Sequence, residues 1–288
     1  MVLEALLDPK KVVIHPQRLF FLGILYAGIG TFLGLWIFKN QASLVLVFLT
    51  VMAALPLIYR TTKHEEFIDS QNIKESKLLK HHSRILIAYM FLFFGFVIAF
   101  SLGYILLPEK LVQITYNAQI ETIRTINGGI VGSAVSGALS NQSAVFLQIF
   151  SNNLKVMLFS LFFSFFYGAG AIFILTWNAS VIGAAMGSFF RAEVATLAAK
   201  TGLVKVAGYF GIFSLSMLKY IIHGPVEILA YFTAGLAGGI ISVAVIRHDF
   251  DSPSFRKILL DSVDLVMIAI FLIFIAALLE VYVTPAIF

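Results

Sequence analysis

Cysteine does not occur in this sequence of 288 residues. Its absence excludes disulfide bonds, thiolate metal sites and a cysteine nucleophile. Charge is also scarce, because Asp, Glu, Lys and Arg together make up 12% of the residues, whereas a soluble domain carries about 25%. So few charged side chains cannot cover the surface of a soluble globule of this size. The composition therefore argues against a soluble protein.

The sequence instead contains long apolar segments. Hydrophobic residues account for 60% of the chain, and Phe alone contributes 29. A helix needs roughly 20 residues to cross about 30 Å of hydrocarbon, whereas the strands of a membrane barrel would alternate over about ten. Because unbroken runs of helical length recur, we predict an all-α polytopic transmembrane bundle of about seven spans. The predicted spans are residues 19–38, 42–59, 85–107, 154–176, 207–222, 225–246 and 258–283.

Basic residues gather at the ends of some of these runs. Three Lys or Arg residues lie in 1–18, six in 60–84 and three in 247–257, whereas the longer stretch 108–153 holds only two. The positive-inside bias predicts a multi-pass protein of the cell membrane with a cytoplasmic N-terminus and an extracytoplasmic C-terminus. The same distribution explains the net charge of +5, so nucleic-acid binding is not expected.

The most polar stretch is residues 60–84, which contain neither Gly nor Pro. This composition favours a cytoplasmic helical extension of the third span. His64, His81 and His82 lie in the stretch, and a metal site is one interpretation of them. Adjacent residues point about 100° apart on a helix, however, so we expect these histidines to form part of a solvated surface.

Two further segments are apolar without forming an obvious span. Residues 178–190 are too short to cross the bilayer untilted, which favours a half-helix, a re-entrant segment or one part of a broken span. The predicted outer segment, residues 108–150, carries small residues at four-residue spacing between positions 128 and 137. Such spacing permits close helix packing and predicts a helical hairpin or re-entrant loop.

Charged side chains inside apolar segments indicate a partner or a function, because each costs about 2.5 kcal/mol or more at the bilayer centre. Lys219, His223 and Glu227 are spaced by four and would share one face of a continuous helix. Gly224 and Pro225 predict that the helix is instead broken. His223 would then end one helix, where the dipole favours a cation, and Glu227 would lie in the first turn of the next, where it favours an anion. Two interpretations of His223 and Glu227 therefore stay open: they cap the helix ends, or they form an ion or substrate site.

Glu280 is the remaining charge in a strongly apolar segment. It either reaches the outer interface or pairs with Lys219 or His223. A zinc site lacks ligands, because His223 and Glu227 supply two at most. No GxSxG motif supports nucleophilic catalysis. We therefore expect neither a cofactor nor a metal, and no enzymatic activity; an intramembrane hydrolase would need a further ligand or base near His223.

Three blocks in the second half of the chain together form a pattern of Asn, Gly, His and Glu residues. The first comprises Asn152, Asn153, Asn178, Gly183 and Gly187. The second comprises His223, Gly224, Pro225 and Glu227, followed by a glycine-rich helix, and the third comprises Glu280 and Thr284-Pro285. In order and spacing, residues 150–288 resemble the stage II sporulation protein M family.

The resemblance implies a non-catalytic membrane subunit, since relatives in sporulating bacteria act with partner proteins in membrane migration during engulfment. It divides the chain into an N-terminal three-span region, 1–150, and a family-like membrane domain, 151–288. The expected function is that of a subunit or scaffold in a membrane or envelope remodelling complex. The alternative is a transporter or channel component that uses the charges of the broken helix. Expected partners are the lipid bilayer and other membrane or envelope proteins, including a second copy of the chain.

Overall fold

Helices dominate the computed structural model, which describes residues 14–70, 75–125, 142–167, 170–196, 202–247 and 252–287. No strand occurs in these ranges, so the all-α prediction is confirmed. The helices are α1 (Gln17–Ile37), α2 (Ala42–Asp69), α3 (Glu75–Leu106), α4 (Glu109–Thr115), α5 (Gln142–Tyr167), α6 (Ala171–Thr196), α7 (Gly202–Ile221), α8 (Gly224–Arg247), α9 (Pro253–Leu278) and α10 (Thr284–Ile287), with a π-helix at Leu279–Val283.

Seven of the described helices are long and apolar enough to cross a membrane, as predicted, but they are not the seven expected. The predicted span 154–176 is divided between α5 and α6, because the chain turns between Tyr167 and Ala171. The predicted span 207–222 corresponds to α7 (Gly202–Ile221), whose described apolar part, Gly208–Leu218, is not among these seven. An apolar run does not show where one helix ends and the next begins. The predicted end of the span, residue 176, therefore lies beyond the end of α5 at Tyr167.

The prediction of a half-helix or re-entrant segment at 178–190 is wrong. These residues lie in the middle of α6, which continues without interruption for 26 residues. The apolar residues 171–177, assigned to the preceding span, supply the length that 178–190 lack. The predicted start of the preceding span, at residue 154, is likewise too late, because α5 begins at Gln142.

The polar stretch 60–84 contributes to two helices instead of extending one. Residues 60–69 are the last turns of α2, and residues 75–84 are the first turns of α3. Residues 71–74 lie outside the described ranges. The helical prediction is therefore confirmed for residues 60–69 and 75–84, but the assignment of the whole stretch to the third span is wrong.

The predicted outer segment is shorter than expected and is held against the bundle. It begins with α4 and the helical residues 117–125, and residues 142–150 belong to α5. The small residues between 128 and 137 lie outside the described ranges. Tyr116 Oη donates to Phe100 O at 2.9 Å, and Gln119 Nε2 donates to Ser43 O at 2.9 Å and to Ser180 Oγ at 3.1 Å.

The helices pack as two groups joined through α8. One group contains α1, α2, α3 and α6, and the other contains α5, α8 and α9, while α8 also contacts α2, α3 and α6. Glycines allow the closest approaches: a Cβ atom on Gly23 would overlap the carbonyl oxygen of Leu92, and one on Gly238 would overlap that of Leu161. Small residues stabilise membrane helices by permitting such backbone contact.

Candidate functional site

The helix is interrupted at the position that the sequence predicts. Helix α7 ends at Ile221, a turn contains residues 222 and 223, and α8 begins at Gly224. The backbone N–H groups of Val226 and Glu227 donate to His223 O at 3.0 and 3.2 Å. The first acceptor of α8 is thus the His223 carbonyl, and the missing N–H of Pro225 costs no hydrogen bond in this first turn.

His223 connects this break to the end of the chain. Its Nδ1 lies 3.3 Å from Thr284 Oγ1, and the Thr284 hydroxyl donates to Leu279 O at 3.1 Å. With its only proton directed at Leu279, the Thr284 oxygen accepts from His223 Nδ1–H, which leaves Nε2 as the acceptor nitrogen of a neutral ring. Burial lowers the pKa of His223 and so favours the neutral ring, in opposition to the helix dipole, which favours a cation at this position.

Glu227 lies in the first turn of α8, as predicted. Tyr231, which is 1% exposed, donates its hydroxyl to Glu227 Oε1 at 2.5 Å. Glu280 lies in the π-helix, close enough to interact electrostatically with Glu227. The expected pairing of Glu280 with His223 is not observed, and the side chain of Lys219 falls outside the described part of the chain. We call His223, Glu227, Tyr231, Glu280 and Thr284 the His223 site.

The chemistry of the His223 site is that of two neighbouring carboxyl groups and a neutral imidazole, all partly buried. Carboxylates that approach each other in a low-dielectric environment repel, so a proton or cation between Glu227 and Glu280 would stabilise the pair. In the ranges that the structure describes, no group of three or more His, Cys, Asp or Glu side chains is arranged to hold a metal ion.

The other predicted residues do not join the His223 site through any described contact. Asn178 Nδ2 donates to Ile174 O at 3.0 Å within α6. Gly183 and Gly187 face α3, where added Cβ atoms would lie 2.7 Å from the Cβ atoms of Phe100 and Tyr104. Asn152 is exposed. Asn153 is buried, and its Nδ2 has no hydrogen-bond partner among the described residues.

A second polar cluster lies at the opposite end of α8 and was not predicted from the sequence. His82 Nδ1 lies 2.7 Å from Glu65 Oε2, His82 Nε2 lies 3.1 Å from Asp69 Oδ1, and His81 Nδ1 lies 2.9 Å from Glu65 Oε1. His82 is 2% exposed, and both carboxylates are fully buried. The prediction that these histidines form a solvated surface is therefore wrong for His82, whereas His64 and His81 are partly exposed. We call Glu65, Asp69, His81 and His82 the Glu65 cluster.

The geometry of the Glu65 cluster favours a protonated His82. Each ring nitrogen faces a carboxylate oxygen, and ionised Glu65 and Asp69 would stabilise the imidazolium form of the ring. Such a ring has no lone pair for a metal ion. The cluster thus joins α2 to α3 by buried charge pairs. The four-residue spacing of Glu65 and Asp69, which places both acids on one face of α2, was the available signal.

An ion pair next to the Glu65 cluster attaches α8 to the same end of the bundle. Arg247 Nη1 donates to Glu66 Oε2 at 2.7 Å, and Glu66 is 1% exposed. Asp69 is also attracted electrostatically to Lys257, near the start of α9. Buried and partly buried charges therefore hold the ends of α2, α3, α8 and α9 together.

Comparison with known proteins gives one finding. The family model described as stage II sporulation protein M matches residues 85–285. No curated protein and no solved structure matches the chain. The match begins within α3, earlier than the resemblance at 150–288, and includes the whole His223 site, whereas the Glu65 cluster precedes it. The division of the chain after residue 150 stays a prediction. Since the match covers more than half of the sequence, the chain belongs to the stage II sporulation protein M family.

Proposed function

We propose that this multi-pass membrane protein is a non-catalytic subunit, or scaffold, of a complex that remodels the membrane or envelope. The observation that carries the proposal is the enclosure of α8. In its apolar window 83% of the residues are buried inside the protein, against 22% to 61% for the other six candidate spans. Helix α8 also contacts the backbone of α5 at Gly238. A helix enclosed in this way can act as a rigid centre around which the other helices pack.

The proposed orientation places the Glu65 cluster in the cytoplasm and the His223 site near the outer face, in the cell membrane. The Arg247–Glu66 pair puts the basic residues of 247–257 at the same end as those of 60–84. An odd number of spans then leads from a cytoplasmic N-terminus to an extracytoplasmic C-terminus. This arrangement would give partner proteins access to α4 on the outside and to the polar ends of α2 and α3 on the inside.

The alternative proposal is a transporter or channel component, and the proximity of Glu227 to Glu280 favours it. Two cavities lined by described residues bear on this alternative. One lies among Ile58, Tyr89 and Phe232, and the other lies beside Arg247, but neither is lined by Glu227 or Glu280. We rank the scaffold above the transporter because the enclosure of α8 supports a scaffold.

The change Glu227→Gln separates the two functions. If the protein is a scaffold, purified wild type in liposomes is expected to give no proton or sodium flux above empty liposomes. Glu227→Gln, which keeps an acceptor for Tyr231 but removes the charge, is expected to change only the amount of the native complex on blue native gels of cell membranes. Tyr231→Phe is the matched control, because it keeps the carboxylate. Protein-dependent flux that Glu227→Gln abolishes and Tyr231→Phe retains would establish the transporter instead.

A further inference from the structure

A cavity of about 290 Å³ lies between α2, α5 and α8, at the end of the bundle that carries the Glu65 cluster. Tyr59, Lys63, Ser242 and Arg247 line its polar side. It is distinct from the His223 site, which lies at the opposite end of α8. No sequence pattern marks it, because its residues come from three helices that are far apart in the chain.

The polar side of the cavity presents two cations in a defined geometry. Lys63 follows Tyr59 by four residues, so both side chains lie on the same face of α2. Arg247 donates through Nη1 to the buried Glu66, yet its side chain remains 41% exposed. The ion pair with Glu66 fixes the direction of the guanidinium, and the exposed side chain keeps it accessible to a ligand. An anion is the complementary ligand.

The remaining wall of the cavity is apolar and faces outward. Phe166 is 58% exposed and Ile246 is 81% exposed, and both contribute to the lining. They belong to α5 and α8, which are long and apolar enough to span the membrane. Exposed apolar side chains on such helices face lipid, so the cavity opens sideways toward the hydrocarbon while its polar side lies at the helix ends.

We propose that this cavity binds an anionic phospholipid, with the headgroup phosphate at Lys63 and Arg247 and an acyl chain along Phe166 and Ile246. Basic pockets between membrane helices recognise phosphate headgroups in this way. The hydroxyl groups of Tyr59 and Ser242 supply additional donors for phosphate oxygens. The bound lipid would join α2, α5 and α8, which belong to the two helix groups of the bundle.

A free phosphate ion offers the same charge as a lipid headgroup, but it would leave the apolar wall uncovered. The apolar wall is therefore what favours the lipid. A test must accordingly compare lipid with inorganic phosphate, and it must separate this cavity from the general attraction between a basic membrane protein and anionic lipid.

The full-length protein is exchanged into phosphatidylcholine micelles with increasing phosphatidylglycerol, and retained lipid is counted by native mass spectrometry. Lys63→Gln is expected to raise the phosphatidylglycerol concentration at half-occupancy about fivefold. Lys77→Gln is the matched control, because Lys77 is an exposed lysine at the same end of the bundle but outside the cavity. It is expected to bind as wild type does. Ser242→Leu, which narrows the cavity without changing charge, is expected to weaken retention.

The proposal is overturned if Lys63→Gln retains the lipid as wild type does, or if Lys63→Gln and Lys77→Gln weaken binding equally. It is also overturned if inorganic phosphate displaces the lipid at comparable concentrations, since the apolar wall would then contribute nothing. Because Lys63 is exposed, its replacement is not expected to disturb folding, so a loss of binding reports on the site itself.

Discussion

Replacing His82 by leucine is expected to destabilise the protein by about 3 to 5 kcal/mol, because the change removes the buried cation that Glu65 and Asp69 share. Glu65 and Asp69 are fully buried, and His82 faces both. Unfolding of the purified protein in mixed micelles by increasing SDS, followed by tryptophan fluorescence, measures the loss. A His82→Leu protein as stable as wild type would contradict the charge pairing in the Glu65 cluster.

A triple change distinguishes lost charge pairing from lost packing around His82. His82→Leu combined with Glu65→Gln and Asp69→Asn removes the cation and both anions together, so no uncompensated charge remains. Replacing a whole buried ion network by neutral groups is often close to neutral for stability. The triple variant is therefore expected to recover most of the stability that His82→Leu loses. If it is less stable than His82→Leu alone, packing is the cause.

Replacing Gly23 by valine is expected to cost about 3 kcal/mol, at the upper end of typical overpacking, because the clash is with backbone. An added Cβ would overlap the Leu92 carbonyl oxygen and lie 3.1 Å from the Gly95 Cα. Since Gly23 faces α3 directly, α1 would have to move away from it. Thermal denaturation of the detergent-solubilised protein, followed by loss of the monodisperse peak in size-exclusion chromatography, measures the effect.

Gly28→Val is the matched control for Gly23→Val. Gly28 lies in the same helix, α1, but a Cβ there would meet nothing within 4 Å. Both changes carry the same helix-propensity difference between Gly and Val, so their difference reports the packing of α1 on α3. Equal denaturation temperatures for the two variants would mean that α1 and α3 do not approach as closely as described.

The sequence was sufficient for features that depend on local chemistry. The Gly224-Pro225 pair interrupts a helix wherever it occurs, so the break before α8 and the position of Glu227 in its first turn were predictable. Length and apolar composition were likewise enough for the number of spans. These properties require no knowledge of which helices are neighbours.

Features that depend on helix neighbours were not predictable in this way. His82 follows a polar turn and is surrounded by basic residues in the sequence, which is typical of a solvated surface. Only the return of α3 against α2 places it between Glu65 and Asp69. Gly183 and Gly187 were identified as site residues because of their spacing. Their contact with Phe100 and Tyr104 shows that they permit packing of α6 on α3.

Side-chain contacts at both ends of α8 limit how this helix can move. His223, just before its first residue, is hydrogen-bonded to Thr284, and Arg247, its last residue, is paired with Glu66. A shift of α8 by one turn, about 5.4 Å along its axis, would break both connections. A piston-like displacement is thus disfavoured. Any signal passing through this helix from one face of the membrane to the other must travel as a tilt or rotation of the whole bundle.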